Sequence, residues 1–179
     1  MYNSETQKKN IAWFLPRPKP DHYKGGMPLY CEKWLLELAQ DILNKKPITV
    51  LNLFCGMNKR GVRIDINPEV KPDFCIDIHK LSKYLNKEVW KDFKFDVILA
   101  DPPYSDDESK QLYGTGKLNY SKWSKEVDKF LRVGGLFIVY HKFIVPNPNP
   151  EKYRVEKRVF VGNRVWHLPR IAIYFRKEK

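Results

Sequence analysis

Residues 95–109 read FDVILADPPYSDDES. The run Val97-Ile98-Leu99-Ala100 has the length of a strand and no polar alternation, the pattern of a central strand covered on both faces. Pro102 and Pro103 cannot donate to a sheet ladder, so the strand must stop at Asp101. An aspartate, two prolines and Tyr104 therefore leave a buried strand at its carboxyl end, where open α/β sheets bind their ligands.

Upstream, FLPRPKPDHYKGGMP (14–28) carries four prolines and a Gly-Gly pair, which predicts an irregular N-terminal segment over 1–28. Trp34, Leu35, Leu38, Ala39, Ile42 and Leu43 then recur at helical spacing, predicting a helix over 30–45 that ends at Pro47, with Lys45 and Lys46 in its last turn. ITVLNLFCG (48–56) is a β-branched run stopped by Gly56 and reads as the first core strand. GVRIDI and DFCIDI are shorter strand-like pieces ending at Asp65 and Asp77. Residues 79–92 read as helical. YSKWSKEVDKFLRVGG (120–135) reads as a helix with Gly134-Gly135 beyond its end. LFIVYHKFIV is a further buried strand, and YRVEKRVFVG and RIAIYFRKE read as an antiparallel pair. Strands alternating with helices, closed by a hairpin, predict a three-layer α/β sheet, mostly parallel, in one domain over 29–179.

The chain has 179 residues, enough for one sizeable core. Its 33 Lys and Arg against 21 Asp and Glu give a net charge of +12, which favours a polyanionic partner. Richness in lysine and glutamate also accompanies a high working temperature. Cys31, Cys55 and Cys75 are odd in number and lack CxxC spacing, so they read as reduced thiols. No run approaches a membrane span, and MYNSETQKKN lacks the apolar core of a signal peptide. The cytoplasm is the expected compartment, with no membrane partner. No His/Cys cluster suggests a metal.

With LNLFCG at the first strand, acids after the next two, ADPPY after the fourth and VGGLFIVY at the fifth, the chain from about Lys24 onward resembles class I S-adenosylmethionine-dependent methyltransferases. The D-P-P-Y sequence is similar to that of the branch that methylates amino groups, including N6-adenine-specific DNA methyltransferases. The resemblance implies a Rossmann-like sheet, S-adenosyl-L-methionine as cofactor and a nucleic-acid base as substrate. It also implies roles for the motif. The Asp101 carboxylate and the Pro102 carbonyl would accept the two hydrogens of the amine, the prolines Pro102 and Pro103 would fix the direction of that carbonyl, and Tyr104 would stack on the base. An exocyclic amine is a poor nucleophile because its lone pair is delocalised into the ring, and two fixed acceptors help its nitrogen become tetrahedral.

On the cofactor side, the resemblance implies that Phe54, Cys55 and Gly56 line the cofactor, that Asp65 accepts from the ribose hydroxyls and Asp77 from the adenine amino group, and that Ile66 and Ile78 wall the ring. An acid after a strand is also a common helix cap. Only four residues separate Gly56 from Gly61, whereas a parallel crossover usually takes a dozen or more. The first crossover helix is therefore expected to be missing, the chain returning as an almost extended link. Lys24, with Lys59 or Arg60, is then a candidate for the cofactor carboxylate.

On the substrate side, the long polar loop 105–120 is a candidate lid. Tyr113, Tyr120 and His141 are candidates for base contacts, and the basic C-terminal hairpin for phosphate contacts. Asp106, Asp107 and Glu108 would repel phosphate. DPPY favours adenine N6, with DNA expected ahead of RNA. Adenine N6 or guanine N2 in ribosomal or transfer RNA is the alternative, and a non-catalytic nucleic-acid-binding subunit is the alternative of another class. The chain has no room for a large recognition domain, so specificity would come from short loops, from residues 1–26, from a homodimer or from a partner subunit.

Overall fold

Successive residues of a strand face opposite sides, so a strand without polar alternation needs an apolar layer on each side. The computed structural model shows this at Phe95–Ala100 and describes residues 11–13, 27–85, 92–103, 107, 110, 118–162 and 169–179. Val97 and Leu99 enter one core, and Ile98 and Ala100 enter the other.

In chain order the elements are β1 (Ile11–Trp13), α1 (Leu29–Leu43), β2 (Val50–Leu53), β3 (Val62–Asp65), β4 (Phe74–Cys75), α2 (Leu81–Leu85), β5 (Phe95–Ala100), α3 (Tyr120–Asp128), β6 (Leu131–His141), β7 (Tyr153–Gly162) and β8 (Arg170–Lys177). The strands form one sheet in the order β1-β7-β8-β6-β5-β2-β3-β4. Among the described strands β8 alone runs opposite to the rest, antiparallel to β6 and β7. The expected three-layer, mostly parallel sheet is thus present, with the terminal hairpin inserted so that its second strand pairs with β6.

One face is covered by α1, whose Trp34, Leu35, Leu38 and Ala39 pack with Val97, Leu136, Ile138 and Tyr174. Burying side chains of this size contributes about 1.5–3 kcal/mol each. The opposite face carries α2 and α3 through Leu81, Leu85, Trp123 and Val127. Asn44, in a left-handed conformation, ends α1 three residues before Pro47. Lys45 then leaves the helix end to reach Asp96 at 2.7 Å.

Asp96, a charge inside a central strand, is 2% exposed. It accepts from Lys45 Nζ, from the N–H and hydroxyl of Thr49, and from Arg132 Nε. Burial pushes its carboxyl up, but these donors outweigh burial and hold it at about 2.

Three expectations are corrected. Within the stretch read as irregular, Ile11–Trp13 instead forms a short strand parallel to β7. The helix expected through 120–133 stops at Asp128, and Gly134-Gly135 lie inside β6 rather than beyond a helix. There the register against β5 jumps between Phe95 and Val97, a bulge that a Cβ at Gly135 would block by meeting the main-chain oxygens of Arg132 and Asp96 at 2.9 Å. The strand read through Val145 ends at His141.

The helix expected over 79–92 is described as a 3-10 turn, Ile78–Lys80, followed by α2. Residues 86–91 lie outside the described residues, as do Lys24, Tyr104, Tyr113 and most of the loop 105–120.

Candidate active site

Because β2, β3, β5 and β6 are parallel, their carboxyl ends gather the loops at one edge. Asp101 is the first residue past β5; its N–H donates to Leu53 O at 3.4 Å, which sets it against the end of β2. It is 8% exposed, with Pro102 buried and Pro103 half-buried beside it. Cys31, from the first turn of α1, hydrogen-bonds Tyr140 behind it; burial and the charges of Asp101 and Glu32 push this thiol up. It is an apolar wall rather than a nucleophile.

At the end of β2 the backbone turns sharply, with φ of 55° at Phe54 and 52° at Gly56. A left-handed phenylalanine costs about 1–3 kcal/mol and persists only where its surroundings hold it. Its ring is held edge-on by buried Trp123 at 5.5 Å, itself packed on Phe137 and Tyr120. Tyr120, expected as a base contact, supports this cluster and donates its hydroxyl hydrogen to Pro146 O.

Asp65 closes the turn. Its Oδ2 accepts from Gly56 N–H at 2.8 Å and its Oδ1 from Asn67 N–H at 2.9 Å. Each oxygen retains a second lone pair. Asp77 caps the 3-10 turn after β4, its Oδ1 accepting from His79 N–H and lying 2.9 Å from His79 Nδ1. Burial raises its carboxyl, and the bonds from His79 outweigh that and lower it. No bond to Oδ2 occurs among the described residues. His79 Nε2 accepts from Asn119 N–H, so its proton sits on Nδ1 and the ring ties the β4 end to the start of α3. Ile78 is buried, whereas Ile66 stands 38% exposed at the rim.

The crossover helix is absent: 54–61 joins β2 to the adjacent parallel β3 without a helix, as expected. The link is fastened by a buried unit that the sequence reading did not find. Glu32 Oε1 accepts from Asn52 Nδ2 at 2.6 Å, Asn52 Nδ2 also reaches Arg60 O at 3.3 Å, and the Arg60 guanidinium lies 3.7 Å from Glu32 Oε2. Burial pushes the Glu32 carboxyl up to about 7, against the pull of Arg60 and Asn52. The signal was an asparagine inside the apolar run LNLF and an acid in the first turn of an apolar helix. Arg60 is thereby committed to Glu32, while Lys59 is exposed.

His141 ends β6 at the same edge, its Nδ1 accepting from Phe143 N–H at 3.0 Å. Four of the basic residues in and beside the hairpin are paired: Lys152 and Lys177 with Asp128, and Arg154 and Arg176 with Glu156, while Arg154 and Arg158 stand exposed. No group of three His, Cys, Asp or Glu among the described residues could hold a metal ion. No helix among them is long and apolar enough to cross a membrane.

This geometry defines an α/β fold with its candidate site at the ends of β2, β3, β5 and β6, and solved structures share that fold. TrmN from Thermus thermophilus superposes with a TM-score of 0.57 at 15% identity, covering 86% of this chain and 50% of that one. The N-methyltransferase NodS from Bradyrhizobium japonicum WM9 gives 0.52 at 14% identity, over 83% and 97%. An rRNA methylase from Streptococcus thermophilus gives 0.51 at 7% identity, over 86% and 98%. The chain spans about half the length of TrmN. No protein-family model and no curated protein sequence matches it.

Proposed function

We propose that this protein transfers a methyl group from S-adenosyl-L-methionine to an exocyclic amino group of a nucleic-acid base, adenine N6 in DNA being the reading that D-P-P-Y supports. The observation that carries it is Asp101-Pro102, held nearly buried at the end of the central strand, beside the strained turn that Asp65 ties down. The fold shared with NodS and the rRNA methylase supports the reaction class.

The residues present fit the cofactor. Asp65 keeps acceptor capacity for ribose hydroxyls, Asp77 keeps Oδ2 for the adenine amino group, and Ile66 and Ile78 supply apolar walls. Backbone at Phe54, Cys55 and Gly56 lies at the turn, and Lys24 and Lys59 are the cations for the carboxylate. S-adenosyl-L-methionine supplies an electrophilic methyl group on sulfur. The protein's part is orientation: the Asp101 carboxylate and the Pro102 carbonyl hold the amine's two hydrogens so that its lone pair points at the methyl carbon. Asp101 need not be a strong base, since the product ammonium can pass its proton to solvent. Tyr104 would stack on the base, worth about 1–3 kcal/mol, and so offset much of the cost of extruding it.

A second reading, methylation of an RNA base, is favoured by the likeness to an rRNA methylase of similar extent. Labelled cofactor incubated separately with duplex DNA, single-stranded DNA and total RNA, followed by nucleoside analysis, decides between them. N6-methyladenine in DNA is the expected product. Label in RNA alone establishes the second reading, and tight binding without label leaves a nucleic-acid-binding subunit.

A further inference from the structure

Soluble proteins rarely leave adjacent large apolar side chains in water without a use. Phe143 and Ile144 are 58% and 64% exposed, the most open large apolar pair in sequence among the described residues. They follow β6, the strand beside β5. The β5–β6 ladder ends at Ala100↔Val139, one residue before Asp101 on one strand and two before the end of β6 at His141 on the other. Phe143 therefore follows the strand adjacent to the one that carries the acceptor motif, at the edge where a base would arrive.

The ring is held in place rather than loosely exposed. Phe143 N–H donates to His141 Nδ1 at 3.0 Å, and the two rings lie 5.6 Å apart. The segment after it is anchored by the bond from the Tyr120 hydroxyl to Pro146 O at 3.0 Å. Lys142 Nζ lies 5.2 Å from the centre of the Phe143 ring. That ammonium lies over the ring, and an exposed aromatic with a cation beside it suits a nucleotide, whose base takes the ring once the lysine swings to the phosphate. A protein partner's apolar side chain would gain nothing from that ammonium. The chain's net charge of +12 also favours a polyanion.

We infer that Phe143, flanked by Ile144 and Lys142, is a stacking platform for a base of the nucleic-acid substrate, adjoining the Asp101-Pro102 acceptors. The inference rests on the proposed nucleic-acid reading and extends it to a residue outside D-P-P-Y. Its role is to hold the strand next to the base being modified, so it acts on nucleic-acid affinity and not on cofactor affinity.

The test uses the full chain with single-stranded DNA and RNA oligonucleotides carrying 2-aminopurine, whose fluorescence is quenched by stacking. Phe143→Ala and Phe143→Leu are expected to weaken oligonucleotide binding roughly 5- to 100-fold and to relieve quenching. Phe143→Trp is expected to retain both, and cofactor affinity is expected to stay within twofold in all three. If the parent transfers no methyl group while Phe143→Ala and Phe143→Leu lose its binding and quenching, the platform stands and the enzymatic reading falls. If the parent methylates nucleic acid while Phe143→Ala and Phe143→Leu bind and quench as it does, the platform is wrong. A parent that binds no oligonucleotide overturns both. If the variants change only self-association in sedimentation, the face is a contact between copies and the inference fails.

Discussion

Asp101 and Glu32 are both nearly buried carboxylates, yet opposite consequences follow from removing their charge. Asp101 is proposed to act on substrate hydrogens at the end of β5, outside the turn proposed to hold the cofactor. Asp101→Ala is therefore expected to abolish methyl transfer while cofactor affinity, measured by calorimetry, stays within a few fold; retained turnover would remove its role. Glu32 is fully buried and its carboxyl is raised from 4.5 to about 7. Between those values the folded state binds more protons than the unfolded one, so this group's contribution to stability falls as pH rises from about 4.5 to about 7. The loss is on the order of 3 kcal/mol for a shift of this size. Denaturant melts at pH 5 and pH 8 should show that slope in the parent and a flatter one in Glu32→Gln; equal slopes would mean that Glu32 does not titrate in that window.

Among the elements, the link between β2 and β3 departs furthest from ordinary parallel crossovers. The return to the start of β3 needs a residue with φ of +72° whose Cβ position lies 2.3 Å from the Val50 carbonyl oxygen, and Gly61 supplies it. Gly61→Ala must displace the link, and thermal or urea melts should show a loss of about 2 kcal/mol or more. Because Asn52 and Arg60 fasten the same link to Glu32, the variant should also weaken cofactor binding, an effect read by calorimetry. The missing helix was legible from the short Gly56–Gly61 spacing. The bulge at Gly134-Gly135 was not, because Gly-Gly after an amphipathic run is also the signature of a helix end. Only the packing of Gly135 against the main chain of Arg132 and Asp96 separates the two.

For the molecule as a whole, the charge of +12 is distributed differently from the count along the chain. Arg176 is one of ten basic residues between 142 and 179, but it donates to Glu156, Gly134 O and Ile42 O. Arg176→Ala is therefore expected to cost roughly 2 kcal/mol of stability. It should leave the salt dependence of oligonucleotide affinity unchanged, since a residue that neutralises no phosphate releases no counterion. A slope reduced by about one would instead place Arg176 on the nucleic acid.

The strand periods, the acids after β3 and β4, and the position of D-P-P-Y behind an unbroken apolar run were determined by the sequence alone, because burial on both faces leaves a local signature in residue type. The bulge at Gly134-Gly135, the partners of Asp96 and the Glu32–Asn52–Arg60 unit were decided only by tertiary structure. Each depends on a charge or a main-chain oxygen brought from a segment distant in sequence. Local pattern reports which face a residue turns to the core; it carries no record of which group waits there.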